Sequence, residues 1–177
     1  MNFWIGRIGR TGHAEAGFSL VELILVITIM GILAWVAYPR LTVTTEIKLD
    51  AAARRVAADL RYAQNRSIGT RVVHGLLFDA SAERYTVFAP TPATAAVDPA
   101  DRAKSLTVDF TRRAEYQGVT IVSAAFGSTP GVKFDYFGVP RDTAGADIAA
   151  TGRVMLTCGG LVDTVEVAPG TGKVTVR

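Results

Sequence analysis

The sequence predicts an α+β chain: a long N-terminal helix, first apolar and then amphipathic, packed on an antiparallel β-sheet C-terminal domain. Three observations carry this. Residues 18–38 form an almost unbroken apolar run with one ionisable group, Glu22. Between Leu49 and Ser67, apolar and small residues recur at helical spacing. After Gly69 the pattern changes to short β-branched and aromatic runs separated by turn residues.

Composition bounds the rest. The chain has 177 residues, 49% hydrophobic and 20% charged, which excludes a disordered polymer and allows one ordinary domain plus an appendage. A single cysteine, Cys158, excludes a disulfide scaffold and a cysteine-based zinc or iron–sulfur site. The mean hydropathy of +0.27 is high, and the excess sits mostly in the first apolar run. A net charge of +3 does not by itself imply nucleic acid.

The 18–38 run, as a helix, would span roughly 30 Å, the thickness of a bilayer's hydrocarbon core, and no second such run follows. It is longer than the apolar region of a secretory signal and does not end at a clean small-residue site. Trp35 and Tyr38 suit an interfacial belt at its far end. Loop charges point the other way from the orientation adopted below: Arg7 and Arg10 precede the run, whereas Arg40, Lys48, Arg54 and Arg55 follow it. Glu22 needs a reason, because a carboxylate in hydrocarbon is costly. Either it reaches back to the headgroups, or it pairs with a cation from another chain. The residues alone leave both readings open.

Beyond the run, Pro39 is expected to kink the helix, since it lacks an N–H and crowds the preceding turn. Leu49, Ala53, Val56, Leu60, Ala63 and Ser67 then fall on one helical face, with Arg54, Arg55, Arg61 and Arg66 mostly off it. The helix is expected to end near Ile68-Gly69, with Gly69 as the cap. The basic face suits solvent beside anionic headgroups, or contact with nucleic acid or an acidic partner.

Residues 72–78 and 84–88 read as a hairpin about a turn at 79–83, and 89–104 as an exposed Ala/Pro-rich loop. Further strands are expected at 105–110, 119–123, 132–137, 153–157, 162–167 and 173–177, the last after the turn Pro169-Gly-Thr-Gly172. No catalytic constellation stands out, so the chain is not expected to be an enzyme or to need a cofactor. His74 has no partner at metal spacing and His13 lies near the N-terminus. Cys158 reads as a buried small hydrophobe. Asp135, Asp142 and Asp147 lack calcium-loop spacing, so no metal site is expected.

The stretch Gly17-Phe18-Ser19-Leu20-Val21-Glu22-Leu23 resembles the processing and assembly signal of type IV pilins and type II secretion pseudopilins. Gly31 and Pro39 also fall where such proteins often carry Gly and Pro. The resemblance implies a leader at 1–17, removed by a prepilin peptidase that cuts between Gly17 and Phe18 and methylates the new amine of Phe18. It implies a membrane and filament-core helix at 18–38, an amphipathic continuation at 39–69 and a globular domain at 70–177, together a pilin-like lollipop. The protein would be single-pass in a bacterial inner membrane with its C-terminal domain in the periplasm. Its partners would be other pilins or pseudopilins, the peptidase/methyltransferase and the inner-membrane assembly platform. Glu22 would pair with the Phe18 amine of a neighbouring subunit. This motif overrides the loop-charge bias, because large C-terminal domains translocate regardless of it.

The C-terminal part is similar to the type II secretion protein H and FimT family. The similarity rests on the Arg-rich helix Ala51–Ser67, on Val132-Lys-Phe-Asp135 followed by Gly138, and on Val165-Glu-Val-Ala-Pro-Gly-Thr-Gly-Lys-Val174. It implies a minor pseudopilin of a type II secretion system or, as the alternative, a minor pilin that binds DNA for uptake. DNA-binding members tend to carry a C-terminal Gly-Arg-x-Arg motif. Here Gly172-Lys173-Val174-Thr175 stands in that place, and the next basic residue is Arg177. That departure favours secretion. Arg54, Arg61, Lys173 and Arg177 are the candidate contacts for DNA or a partner.

Overall fold

The computed structural model describes residues 19–177; within that range the side chains of 36–44 lie outside the described residues. One helix, α1 (Leu20–Thr70), is followed by nine strands. They are β1 (His74–Asp79), β2 (Arg84–Phe88), β3 (Thr107–Asp109), β4 (Thr120–Ala125), β5 (Gly131–Phe134), β6 (Pro140–Asp142), β7 (Gly152–Cys158), β8 (Leu161–Val167) and β9 (Val174–Val176). The chain divides into two compact units, Met1–Arg40 and Leu41–Arg177.

In the first unit, the described part of α1 is apolar on every side and exposed throughout, from Leu20 at 73% to Trp35 at 84%. Thr28 donates its hydroxyl to the Ile24 carbonyl at 2.7 Å, so this hydroxyl is satisfied within the helix. Pro39 lies inside the α1 run, and its side chain is outside the described residues.

In the second unit, the helical face read from the spacing is the buried one. Leu49, Ala53, Val56, Leu60, Ala63 and Ser67 are all essentially inaccessible to solvent. Ala52 and Ala57 widen that face, so the apolar stripe is broader than the six positions suggest. The helix ends differently from expectation. Gly69 is still helical, and the residue in the left-handed region is Arg71, at φ 55°. The Ser67 hydroxyl oxygen accepts the His74 amide at 2.9 Å, which fixes the turn from α1 into β1.

The strands form the expected antiparallel β domain, arranged as two sheets. A five-stranded sheet has the order β3-β2-β1-β5-β6, and a four-stranded sheet has the order β4-β7-β8-β9. The predicted hairpin is β1–β2, with Asp79 opposite Arg84. Its turn is shaped by Asp79, which accepts from the Ser81 hydroxyl at 2.7 Å and the Ala82 amide at 3.1 Å. Strand β6 was not anticipated. It is a three-residue edge strand beginning with Pro, without the alternating apolar signal that marks a strand in sequence. The 89–104 segment is less detached than its composition suggests. The Ala96 amide donates to Val87 at 2.8 Å and its carbonyl accepts from Leu106 at 2.7 Å, so it fringes the first sheet.

One core joins the helix to both sheets. It contains Val56 and Leu60 from α1, Leu76, Tyr85 and Phe134 from the first sheet, and Val154, Leu156 and Val165 from the second. Close packing is visible at Gly75, paired with Phe88 across β1–β2, where an added Cβ would lie 2.5 Å from the Phe88 ring. The Glu83 carboxylate accepts the Ile121 amide at 2.5 Å and so ties the β1–β2 turn to β4 in the other sheet.

Candidate functional site

Gly17 and Phe18, the expected cleavage junction, lie outside the described residues. Glu22 occupies the first turn of α1. A carboxylate there meets the positive end of the helix dipole and the unpaired amides of the first turn. Around it the helix surface is apolar on all sides, with Leu20, Val21, Leu23, Ile24 and Leu25 each at least half exposed. A helix of this kind is stable where other apolar matter covers it. Among the described residues, no helix is long and apolar enough to cross a membrane. The apolar run continues past Trp35 into positions whose side chains lie outside the described set.

Three of the four candidate basic contacts gather near β9, and each of the three arginines already holds an internal acceptor. The Arg61 guanidinium donates to the Val174 carbonyl at 2.9 Å and pins α1 to β9. Arg177 lies 3.5 Å from Glu166, which also takes Arg153 at 3.1 Å. Arg54, two helical turns before Arg61, pairs with Asp50 at 2.8 Å. Lys173 is exposed in the turn leading into β9.

The three aspartates weighed for calcium are used in loop architecture. Asp135 accepts the Phe137 amide at 2.9 Å and the Val139 amide at 3.0 Å. Asp142 accepts the Ser128 hydroxyl at 2.8 Å and the amides of Gly145 and Ala146 at 2.7 and 2.8 Å. These bonds, the Ser128 hydroxyl first, hold its carboxyl below the usual carboxylate range. Arg141 bridges Asp135 at 3.5 Å and Asp147 at 2.8 Å. Among the described residues, no group of three potential metal ligands converges. His74 is buried, with Nδ1 2.7 Å from the Val72 carbonyl. Cys158 is buried beside Gly118.

Two features escaped the sequence. The first is a buried polar trio. The Tyr85 hydroxyl donates to Asp59 at 2.7 Å, and Arg55 pairs with the same carboxylate oxygen at 3.0 Å. Asp59 falls on the edge of the helical stripe, so periodicity gave no reason to bury it. The second is an exposed aromatic pair, Tyr136 and Phe137, with ring centroids 4.5 Å apart in the β5–β6 turn. The sequence extended β5 through these residues, but Asp135 captures the following amides and ends the strand at Phe134.

The chain matches the prokaryotic N-terminal methylation motif over residues 12–38. That stretch contains Gly17, Phe18 and Glu22. No curated protein sequence matches the chain. Among solved structures, the fold is similar to that of the minor pseudopilin EpsH from the type 2 secretion system of Vibrio cholerae. The TM-score is 0.53 and the identity 11%, over 73% of this chain and 96% of that one. The type IV minor pilin FimU of Pseudomonas aeruginosa aligns with a TM-score of 0.48 and 15% identity, over 73% of this chain and 87% of that one. The chain therefore joins a prokaryotic N-terminal methylation motif to a fold, an N-terminal helix packed on antiparallel sheets, similar to that of a minor pseudopilin.

Proposed function

We propose that the chain is a minor pseudopilin of a type II secretion system, a non-enzymatic subunit of the periplasmic pseudopilus that drives folded exoproteins across the outer membrane. The observation that carries this reading is the methylation motif at residues 12–38, set on a helix whose described surface is apolar all round. Such a helix suits two successive environments, the inner membrane before assembly and the filament core after it.

The mechanism follows from charge. Cleavage between Gly17 and Phe18 by a prepilin peptidase frees an α-amine, which the same enzyme methylates without removing its charge. The amine of one subunit pairs with Glu22 of its neighbour. That neutralises a carboxylate which hydrocarbon would penalise and selects one axial stagger. The globular unit, held in the periplasm, faces other pseudopilins or cargo.

A second reading is a minor pilin of a type IV pilus that binds DNA for uptake. The gathering of Arg61, Lys173 and Arg177 near β9 favours it. Secretion is preferred because both arginines are tied to internal acceptors, and because a lysine stands where a bidentate arginine would grip phosphate better. Exoprotein activity in culture supernatant of wild-type, deletion and complemented strains tests the choice. Loss on deletion with recovery on complementation is the expected result. Unchanged secretion, with loss of DNA uptake instead, overturns it.

A further inference from the structure

An open groove runs along α1, between its residues Arg55, Ala58, Tyr62 and Arg66 and the segment 97–106 that joins β2 to β3. It has two halves, which share Tyr62, Asp98 and Pro99. From Arg55 to Arg66 the helix rises roughly 17 Å, the length of about five extended residues. The far wall is held in shape by its own bonds. The Asp98 amide donates to the Lys104 carbonyl at 2.9 Å, and the Lys104 amide to the Asp101 carbonyl at 2.9 Å. Val97 is bridged to Ser105, and Leu106 is buried in the core. Both walls therefore stand ready before anything binds, which lowers the entropy lost on docking.

The two halves differ in charge. At the Arg55 end the groove is balanced, because Asp59 takes both Arg55 and the Tyr85 hydroxyl, and Ala58, Pro99 and Leu106 make the rest of the lining apolar. At the other end Arg66 of α1 and Arg102 of the facing segment line the same cleft, and both are exposed. Among the described residues neither arginine is in an ion pair. The acids near Arg102 have other work. Asp101 holds Lys104 at 2.9 Å and accepts the Ala103 amide at 3.1 Å, and Asp98 accepts the Ala100 amide at 2.8 Å. Two guanidinium groups brought together from separate elements repel each other, and an oxyanion between them would relieve that repulsion. Val97, 58% exposed on the same cleft, offers apolar contact beside them.

We propose that this groove docks an extended acidic segment of another polypeptide, with carboxylate side chains at the Arg66–Arg102 end and apolar side chains at the Ala58–Leu106 end. The planar guanidinium fork matches a carboxylate bidentately, and the change from cationic to apolar lining sets the direction of the segment. Asp98, at the join of the two halves, stands where a backbone amide of the docked chain would need an acceptor. A nucleic acid fits less well. It carries a phosphate at every step, and Asp98 and Asp59 lie along the path those phosphates would take. An extended peptide alternates its side chains and so avoids presenting charge at each position. The groove belongs wholly to the Leu41–Arg177 unit, and its use does not depend on the secretion assignment.

The test uses the full chain in detergent and a dye-labelled, end-blocked pentapeptide, with leucines in one half and glutamates in the other, read by fluorescence anisotropy. The same peptide in reversed order is the second probe. One of the two is expected to bind saturably below about 1 mM, and more tightly as salt is lowered. Arg66→Glu combined with Arg102→Glu should weaken that binding about tenfold, and this variant should gain affinity for the peptide whose glutamates are replaced by lysines. Val97→Asp should weaken the glutamate peptide as well. Arg112→Glu, at an 85% exposed side chain that does not line the groove, should leave it unchanged. Should the doubly reversed chain lose the protease resistance of the wild type, Arg66→Gln with Arg102→Gln takes its place. The proposal is overturned if neither peptide binds up to that concentration, or if binding survives the loss of both arginines. An oligonucleotide or phosphatidylglycerol vesicles that bind more tightly through the same two arginines and displace the peptide also overturn it, since they assign the groove to another class of ligand.

Discussion

Asp59 shows how one side chain joins two elements. It sits on α1 at 6% exposure, accepts the Tyr85 hydroxyl from β2 and pairs with Arg55 one helical turn back. Burial first, and then the Asp59 charge, raise the Tyr85 hydroxyl well above its ordinary value. It therefore stays protonated and remains a donor. Tyr85→Phe should cost about 1–2 kcal/mol in urea unfolding, because Asp59 keeps Arg55 as a partner. Asp142 gives a pH dependence of definite sign. Its folded value lies below the ordinary 3.8, so its stabilisation is present above that value and lost as pH falls through the folded one. Asp163 is shifted upward and acts oppositely, favouring the fold at acid pH. Asp142→Asn should flatten the loss of stability as pH falls below 3.8, read from unfolding midpoints across that range.

At the scale of the element, α1 is two helices in one. Its first part has no polar face and its second has a buried stripe with arginines beside it. Leu60 lies fully buried in that stripe, and Leu60→Ala should cost about 2–5 kcal/mol by chemical denaturation. Arg54 is 75% exposed in its pair with Asp50, so Arg54→Ala should change stability by no more than about 0.5 kcal/mol. Equal effects of the two substitutions would mean that the helix is not seated on the sheets by this face. The spacing of apolar residues made the face legible, because a 3.6-residue period leaves a direct mark in sequence. The cap was not legible. Gly69 is the better left-handed residue, yet the Ser67–His74 bond sets where the chain turns and leaves that conformation to Arg71.

For the whole molecule, the expected behaviour is that of a filament subunit. Gly17→Ala should block processing, leaving a chain longer than the wild-type product on a denaturing gel. Glu22→Gln should be processed yet recovered in membranes and not in filaments, since it removes the charge that pairs with a neighbour's amine. Identical product lengths for Gly17→Ala and wild type would refute the prepilin reading.

The sequence by itself determined the helix and, β6 apart, the order of the strands, the buried helical face, the hairpin about 79–83 and the N-terminal motif. Each is written in local periodicity, turn chemistry or a fixed spacing. Tertiary structure decided what depends on distant partners. It split the strands into two sheets, because pairing choice between strands leaves no local mark. It buried Asp59 against a tyrosine 26 positions away. It turned the three aspartates into loop ties and engaged Arg61 and Arg177 internally. It also placed Glu46 of α1 beside Asp163 of β8, and Arg71 beside Tyr136 and Phe137, since only folding brings residues so far apart in the chain onto one surface.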